Sequence, residues 1–191
     1  ILGFTQGRIV FIDGFAGPGL YTGGEKGSPL IALDVFRQHQ AKFKAEVQFG
    51  FIEKDAKRAA HLKALIDELR PSLPKGCAVD VLPGAFDATM TGVLDVLDAQ
   101  GKKLAPAFVM VDPFGVSDTP MAVIERILRG DKSEVYVSFM YRDINRFKAT
   151  EEFVKPLTDL FGTDEWRKGI DLEAEAKKDF FYSLYESQLK K

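Results

Sequence analysis

The sequence predicts an α/β protein: a doubly wound, mostly parallel sheet with helices on both faces. Three observations predict it. Short, continuously apolar runs such as Ile9-Val10-Phe11-Ile12 and Ala107-Phe108-Val109-Met110-Val111 read as strands buried on both faces, the pattern of a parallel sheet. Segments of helical periodicity alternate with such runs along the chain, which argues right-handed strand–helix–strand crossovers. The first run leads into Asp13 and a turn rich in glycine (Gly14, Gly17, Gly19, Gly23, Gly24), where the backbone is free to turn tightly and to come close to a ligand.

The elements follow in order. Ser28 is a good N-cap and Pro29 suits the first helical position, so a helix is expected through Leu30, Leu33 and Phe36 to about Gln40. Val47 to Ile52 reads as a second strand that ends at Glu53. Asp55 caps the next helix, which carries Ala59, Leu62, Leu65, Ile66 and Leu69 on one face and is stopped by Pro71 and Pro74. Cys77 to Leu82 is a short third strand, followed by Pro83-Gly84-Ala85-Phe86-Asp87, with Asp87 after a short loop. A helix through Val93, Leu94 and Leu97 ends near Gly101. The most apolar strand, residues 107–111, runs into Asp112-Pro113-Phe114-Gly115. A helix with Met121, Ile124, Ile127 and Leu128 ends at Gly130, read as a C-cap glycine. Val135 to Met140 is the fifth strand, and helical segments are expected around 151–161 and 172–189. The pattern is Rossmann-like.

The chain has 191 residues, 46% of them hydrophobic, which suits one domain with a real core. A formal net charge of -2 gives no bulk attraction to nucleic acid or an anionic membrane, although a local basic patch remains open. The lone cysteine, Cys77, opens an apolar run and reads as a buried strand residue. His39 and His61 lie far apart on expected helices, so neither a histidine metal site nor a Ser-His-Asp triad is expected. No apolar run approaches the roughly 20 residues that span a bilayer. A soluble, cytoplasmic protein is the default expectation. The chain opens on Ile-Leu-Gly without a methionine and closes on Lys190-Lys191, which reads as a trimmed segment lacking further C-terminal strands.

Ligands of open α/β sheets bind outside the carboxyl ends of the strands, where the winding reverses. Those ends carry Asp13, Glu53, Asp87 and Asp112, and neither residues 13–21 nor 112–119 contain a Lys or Arg. A phosphate-rich ligand is expected to be repelled there, and a ligand with ammonium, sulfonium or hydroxyl groups to be accepted. The loop is not a Walker-type phosphate loop and is out of register with G-x-G-x-x-G. Pro18 also removes an N–H that a phosphate cradle would use. Glu53 is placed to accept hydrogen bonds from ribose hydroxyls. Taken alone, it also reads as a capping acid for the helix after it. An adenosine with no phosphates and a cationic tail fits these features, and S-adenosylmethionine (SAM) is the obvious biological candidate.

These residues carry a resemblance. Asp13-Gly-Phe-Ala-Gly-Pro-Gly19 resembles the first motif of class I SAM-dependent methyltransferases, and Asp112-Pro113-Phe114-Gly115 sits where those with amino-group targets place Asn/Asp-Pro-Pro-Tyr/Phe. The ordered set FIDGFAGPG, GSPLIAL, VDPFG and FMYRDINRF is similar to the three-Cys-motif partner family (TcmP), over nearly the whole chain. The resemblance implies a class I methyltransferase-like fold and a companion protein bearing a three-cysteine motif. It also implies a cofactor site of Asp13, Phe15, Ala16, Gly17, Gly19 and Glu53, with Asp87 beside the adenine. Asp112 to Gly115 would border the acceptor pocket.

Under that resemblance Asp112 would accept a hydrogen bond from a target amine and Phe114 would stack on a flipped base. The motif departs from the pattern, because Phe114 stands at the second proline and Gly115 at the aromatic position. Asp112 therefore also reads as a cap of the Pro113–Gly115 turn. Residues 141–148 mix Arg142, Arg146 and Lys148 with aromatics, the ingredients for gripping single-stranded nucleic acid. They read equally as a solvated amphipathic helix. Three functions are thus in view: a SAM-dependent methyltransferase, a non-catalytic methyltransferase-like partner, and an NAD-linked oxidoreductase, which the glycine register and Pro18 disfavour.

Overall fold

The computed structural model describes residues 7–39, 44–130 and 132–191. Five parallel strands form one sheet: β1 (Arg8–Asp13), β2 (Glu46–Glu53), β3 (Cys77–Pro83), β4 (Ala107–Val111) and β5 (Glu134–Val137), in the order β3-β2-β1-β4-β5. Seven helices accompany them: α1 (Ser28–Gln38), α2 (Ala56–Leu69), α3 (Phe86–Ala99), α4 (Met121–Leu128), α5 (Tyr141–Phe147), α6 (Val154–Phe161) and α7 (Ala174–Leu189). This is a Rossmann-like α/β architecture. The chain winds outward from β1 to β3, then returns past β1 to lay down β4 and β5.

Right-handed crossovers send the helices of the outward and returning halves to opposite faces. The two cores match. Leu33 of α1 and Leu62 and Ile66 of α2 pack with Phe49, Phe51 and Val79 on one face. Phe86 and Met90 of α3 and Ile124 of α4 pack with Ile12, Ile52 and Val109 on the other. Phe51 and Ile52 are successive residues pointing to opposite faces, and both are 0% exposed, so β2 is covered on both sides. Helices α5 to α7 extend the second core with Ile144, Leu157, Phe161 and Phe181.

Several boundaries differ from the sequence reading for identifiable reasons. The N-cap of α1 is Gly27, with extended backbone, and Pro29 takes the second helical position. The Ser28 hydroxyl is not a cap, because it is bonded to Asp13 instead. The expected end of this helix near Gln40 lies outside the described residues. Asp55 caps α2 as expected, accepting from the Arg58 N–H at 2.8 Å. Asp87 follows the short loop after β3, as expected, and occupies the first turn of α3.

β5 ends at Val137 rather than Met140. Ser138 still donates to the Val111 carbonyl at 2.9 Å, but the next donor on the β4 side is Pro113, which has no N–H. Gly130 is not a left-handed cap, since the C-cap of α4 is Arg129 and Gly130 keeps an ordinary φ. It is there for space: a Cβ would meet Ser133 Oγ at 2.7 Å and the Ile127 carbonyl at 3.1 Å. Cys77 is only half-buried, because β3 is an edge strand. Among the described residues no helix is long and apolar enough to cross a membrane.

The glycines after β1 fix the turn. Gly19 sits at φ +78°, and a Cβ there would lie 2.6 Å from Leu62 Cδ1 of α2. Gly24 sits at φ +90° with open space around it. Gly24→Ala is therefore expected to cost about 1 kcal/mol of left-handed strain. Gly19→Ala adds overpacking against Leu62 and should cost roughly 2–4 kcal/mol. Urea denaturation of the two variants checks this, and equal losses would mean that Leu62 yields freely.

Candidate functional site

A cavity of about 630 Å³ opens at the carboxyl ends of the strands. That is within the roughly 300–1,000 Å³ typical of small-molecule sites. Gly14 and Phe15 follow β1; Glu53, Lys54, Asp55 and Arg58 lead from β2 into α2; Gly84, Ala85 and Phe86 join β3 to α3. Phe114 to Asp118 follow β4, and Phe147 and Phe153 come from the region after β5. The cavity straddles β1, where the sheet changes its winding direction, as the strand-end reading expects.

The first part of the glycine loop has its backbone donors committed. Gly14 N–H donates to the Met110 carbonyl (2.8 Å) and Ala16 N–H to the Ile52 carbonyl (2.9 Å). Phe15 N–H donates to Asp13 Oδ1 (3.1 Å). Pro18 has no N–H, so four positions of the loop offer a ligand no donor. Gly14 has no room for a side chain, since a Cβ would meet Phe86 Cδ2 at 2.5 Å and the Met110 carbonyl at 3.2 Å. Gly17 sits at φ +67° and would meet only Tyr21 Oη, at 3.5 Å. Ala16, Gly17 and Gly19 shape the turn from behind, outside the cavity wall. A side chain at Gly17 therefore strains the turn.

His61 of α2 pairs its Nδ1 with the Pro18 carbonyl at 2.9 Å, bolting α2 to the loop. Sequence reasoning missed this contact, because nothing in the spacing of residues 18 and 61 signals it.

Asp13 is fully buried. Its Oδ1 accepts from Phe15 N–H and its Oδ2 from the Ser28 hydroxyl at 2.5 Å. Burial holds its pKa above the ordinary 3.8 against the pull of those two hydrogen bonds, and the nearby charges of Asp112 and Glu53 add to the rise. Both oxygens serve the fold, so Asp13 supports the wall without lining it.

Glu53 does line the cavity, although it is only 6% exposed. Its Oε1 accepts from Asp55 N–H at 2.7 Å, so it braces the residue that caps α2. Among the described residues none donates a hydrogen bond to Oε2. The two sequence readings of Glu53 are thus compatible, one oxygen for each.

The other expected site residues divide. Phe15 is on the wall, stacked on Phe86 with centroids 5.7 Å apart. Phe114 is on the wall and 82% exposed. Asp87 lies off the wall, and its Oδ1 accepts from Ala88 N–H at 2.7 Å, a favourable place for an acid at a helix N-terminus. Asp112 is exposed and off the wall, near enough to Asp13 to raise its pKa, and it does not cap the Pro113–Gly115 turn.

The expected all-acid crevice is corrected. Of the four strand-end carboxylates only Glu53 reaches the wall, and the wall also carries Asp55, Asp118, Lys54 and Arg58. Lys54 Nζ meets Asp118 Oδ2 at 2.7 Å, and that hydrogen bond and charge raise the lysine's pKa. These cations sit just past β2, outside the two loops in which the sequence lacks them. The lining is of mixed charge, three carboxylates and two cations.

Residues 141–147 form the short helix α5, with Ile144 buried and Arg142 and Arg146 exposed. Lys148 is turned inward. Its Nζ donates to the Asn145 carbonyl (2.7 Å) and to Asn145 Oδ1 (2.9 Å), and desolvation, with Lys177 nearby, lowers its pKa.

Fold and crevice together define a Rossmann-like α/β protein with a nucleoside-sized cavity of mixed charge at its strand ends. No protein-family model matches the chain, and neither the curated proteins nor the solved structures provide a match.

The folded-state pKa of Asp13 lies above that of the unfolded chain, so its protonated form favours folding. That contribution is complete below 3.8 and is lost as pH rises through the raised value. The urea-denaturation difference between wild type and Asp13→Asn should therefore move in favour of the wild type as pH falls from 7 to below 3.8. A difference independent of pH would show that Asp13 titrates normally.

Proposed function

We propose that the chain is a class I methyltransferase-like protein of the three-Cys-motif partner kind, that the cavity takes SAM, and that it methylates an amino group of nucleic acid. One observation carries the cofactor reading. Glu53 offers the cavity a carboxylate oxygen that no described residue pairs, beside a loop in which Gly14, Phe15 and Ala16 have already spent their N–H groups and Pro18 has none. That pairing suits a ribose without a pyrophosphate.

When bound, SAM supplies an electrophilic methyl carbon on a sulfonium sulfur. The chain's own residues do the rest. Glu53 accepts from the ribose hydroxyls, and the stacked Phe15 and Phe86 give the nucleoside an apolar wall. Lys54 and Asp118 tie the loop after β4 to the end of β2, which keeps water from part of the mouth. Phe114 holds the acceptor against the cavity, and Asp112 accepts a hydrogen bond from its amine. Alignment of nucleophile, methyl group and sulfur is the main protein contribution to such a displacement.

A second reading has its own support. Asp112 stands off the cavity wall, and the motif around it departs from the amino-methyltransferase pattern. In that reading the fold keeps its ligand crevice and works by docking a companion with a three-cysteine motif, with no methyl transfer.

Calorimetry tests the first step: SAM should bind, and Glu53→Ala should weaken it by about 1–3 kcal/mol, the cost of an unmet polar partner. Binding of NAD but not SAM would reverse the reading. Transfer of labelled methyl from SAM to DNA or RNA tests the second: Asp112→Ala should keep SAM affinity and lose transfer. Transfer that survives in Asp112→Ala removes that residue from the chemistry. SAM binding without any transfer by the wild type favours the partner reading.

A further inference from the structure

Two cations stand beside Glu53 on the cavity wall. Lys54 lies directly past the end of β2, and Arg58 is in the first turn of α2. Two cations next to an acid that accepts from ribose hydroxyls make a natural entry for a phosphate ester on one of those hydroxyls. They differ in what they already hold. Among the described residues the Arg58 guanidinium forms no ion pair. Lys54 Nζ is held by Asp118 Oδ2 at 2.7 Å.

Asp118 comes from the opposite flank of β1, in the loop after β4, and its placement is unusual. Its backbone has φ +66°, and it is one of two non-glycine residues with positive φ among those described. Val116 and Thr119, on either side of it, are each 2% exposed, so the loop is pinned around it. The Lys54 side chain is 67% exposed, against 27% for that of Asp118. The carboxylate is therefore the fixed member of the pair, and the lysine, on its flexible stem, the movable one. An exposed ion pair adds little to stability, so stability does not account for a loop held in a disfavoured conformation. The place of the pair at the cavity mouth does.

Charge shows the consequence. With Asp118 present, the lysine is taken and the wall carries three carboxylates against two cations. Without its charge, two carboxylates face two cations, and both cations are open to an anion. An anion entering beside Lys54 meets Asp118 both as a rival for the ammonium and as a like charge, which is discrimination by a built-in repulsive element.

We propose that Asp118 is a selectivity residue: it occupies the Lys54 ammonium, so that the Glu53 flank of the cavity accepts a ribose with free hydroxyls and refuses one carrying a 2′- or 3′-phosphate ester. This rests on the reading of Glu53 as the ribose partner, and it is tested without SAM.

The experiment is calorimetry of the whole chain with adenosine, its 2′-, 3′- and 5′-monophosphates, and inorganic pyrophosphate. The wild type should bind adenosine, and the 2′- and 3′-monophosphates more weakly. Asp118→Asn keeps a side chain that tolerates the left-handed backbone and removes only the charge. It should leave adenosine affinity unchanged and raise that of the 2′- or 3′-monophosphate by about tenfold, the scale of one hydrogen bond to a charged group. The gain should fade as salt is raised. Lys54→Met should change monophosphate affinity little by itself and should cancel the gain in Asp118→Asn, which a mere rearrangement of the loop would not do. Unchanged monophosphate affinity in Asp118→Asn, or a gain that survives Lys54→Met, overturns the proposal. A gain confined to the 5′-monophosphate leaves the part played by Asp118 standing and overturns the placement of the ribose hydroxyls on Glu53. A wild type that takes no adenosine overturns the nucleoside reading, and pyrophosphate then carries the test: it should bind Asp118→Asn more tightly than the wild type, and equal binding to the two overturns the role of Asp118.

Discussion

The crevice depends on one buried carboxylate. Asp13 ends β1 at the point where the sheet reverses, and it is sealed from water by the glycine loop on one side and α1 on the other. A buried charge is tolerated only if its lone pairs are met. Phe15 N–H and the Ser28 hydroxyl meet them, and in doing so they fix where the loop leaves the strand and where α1 begins. Ala16 then bonds to β2, Gly27 to the Gly19 carbonyl, and Phe15 faces the cavity against Phe86. The burial that raises the Asp13 pKa is therefore also what anchors the mouth of the site.

The winding of the sheet decides the rest. Because β2 and β3 lie on one flank of β1 and β4 and β5 on the other, the strand-end segments meet over β1 from two directions. One brings two carboxylates, two cations and a tight glycine–phenylalanine turn. The other brings exposed or stacked phenylalanines beside arginines. The Lys54–Asp118 ion pair joins the two across the opening. It is exposed enough that its own contribution to stability is small. Its role is geometric.

Much of this was legible in the residues. Five apolar runs gave five strands, because parallel strands buried on both faces leave a plain hydropathy signal. Asp55 was recognisable as a cap, and Glu53 as an acid at a strand end. What was not legible came from contacts between distant segments. Ser28 looks like an N-cap in isolation and serves Asp13 in space. Gly19 reads as part of a ligand loop and also makes room for Leu62 of α2. Lys54 and Arg58 escaped notice because charge was counted along two loops, while the wall is assembled from five. The Phe147–Phe153 stack joins a helix to the turn after it, with five residues lying between the two rings, and no periodicity marks it.

The spent donors of the glycine loop have a consequence for selectivity in a crowded solution. Nucleoside di- and triphosphates carry the same adenosine and compete for any pocket that recognises it. Here a pyrophosphate entering at the loop would shed water and gain no amide in return at Gly14, Phe15, Ala16 or Pro18. At those four positions the deterrent is the lack of a donor, which added salt does not screen.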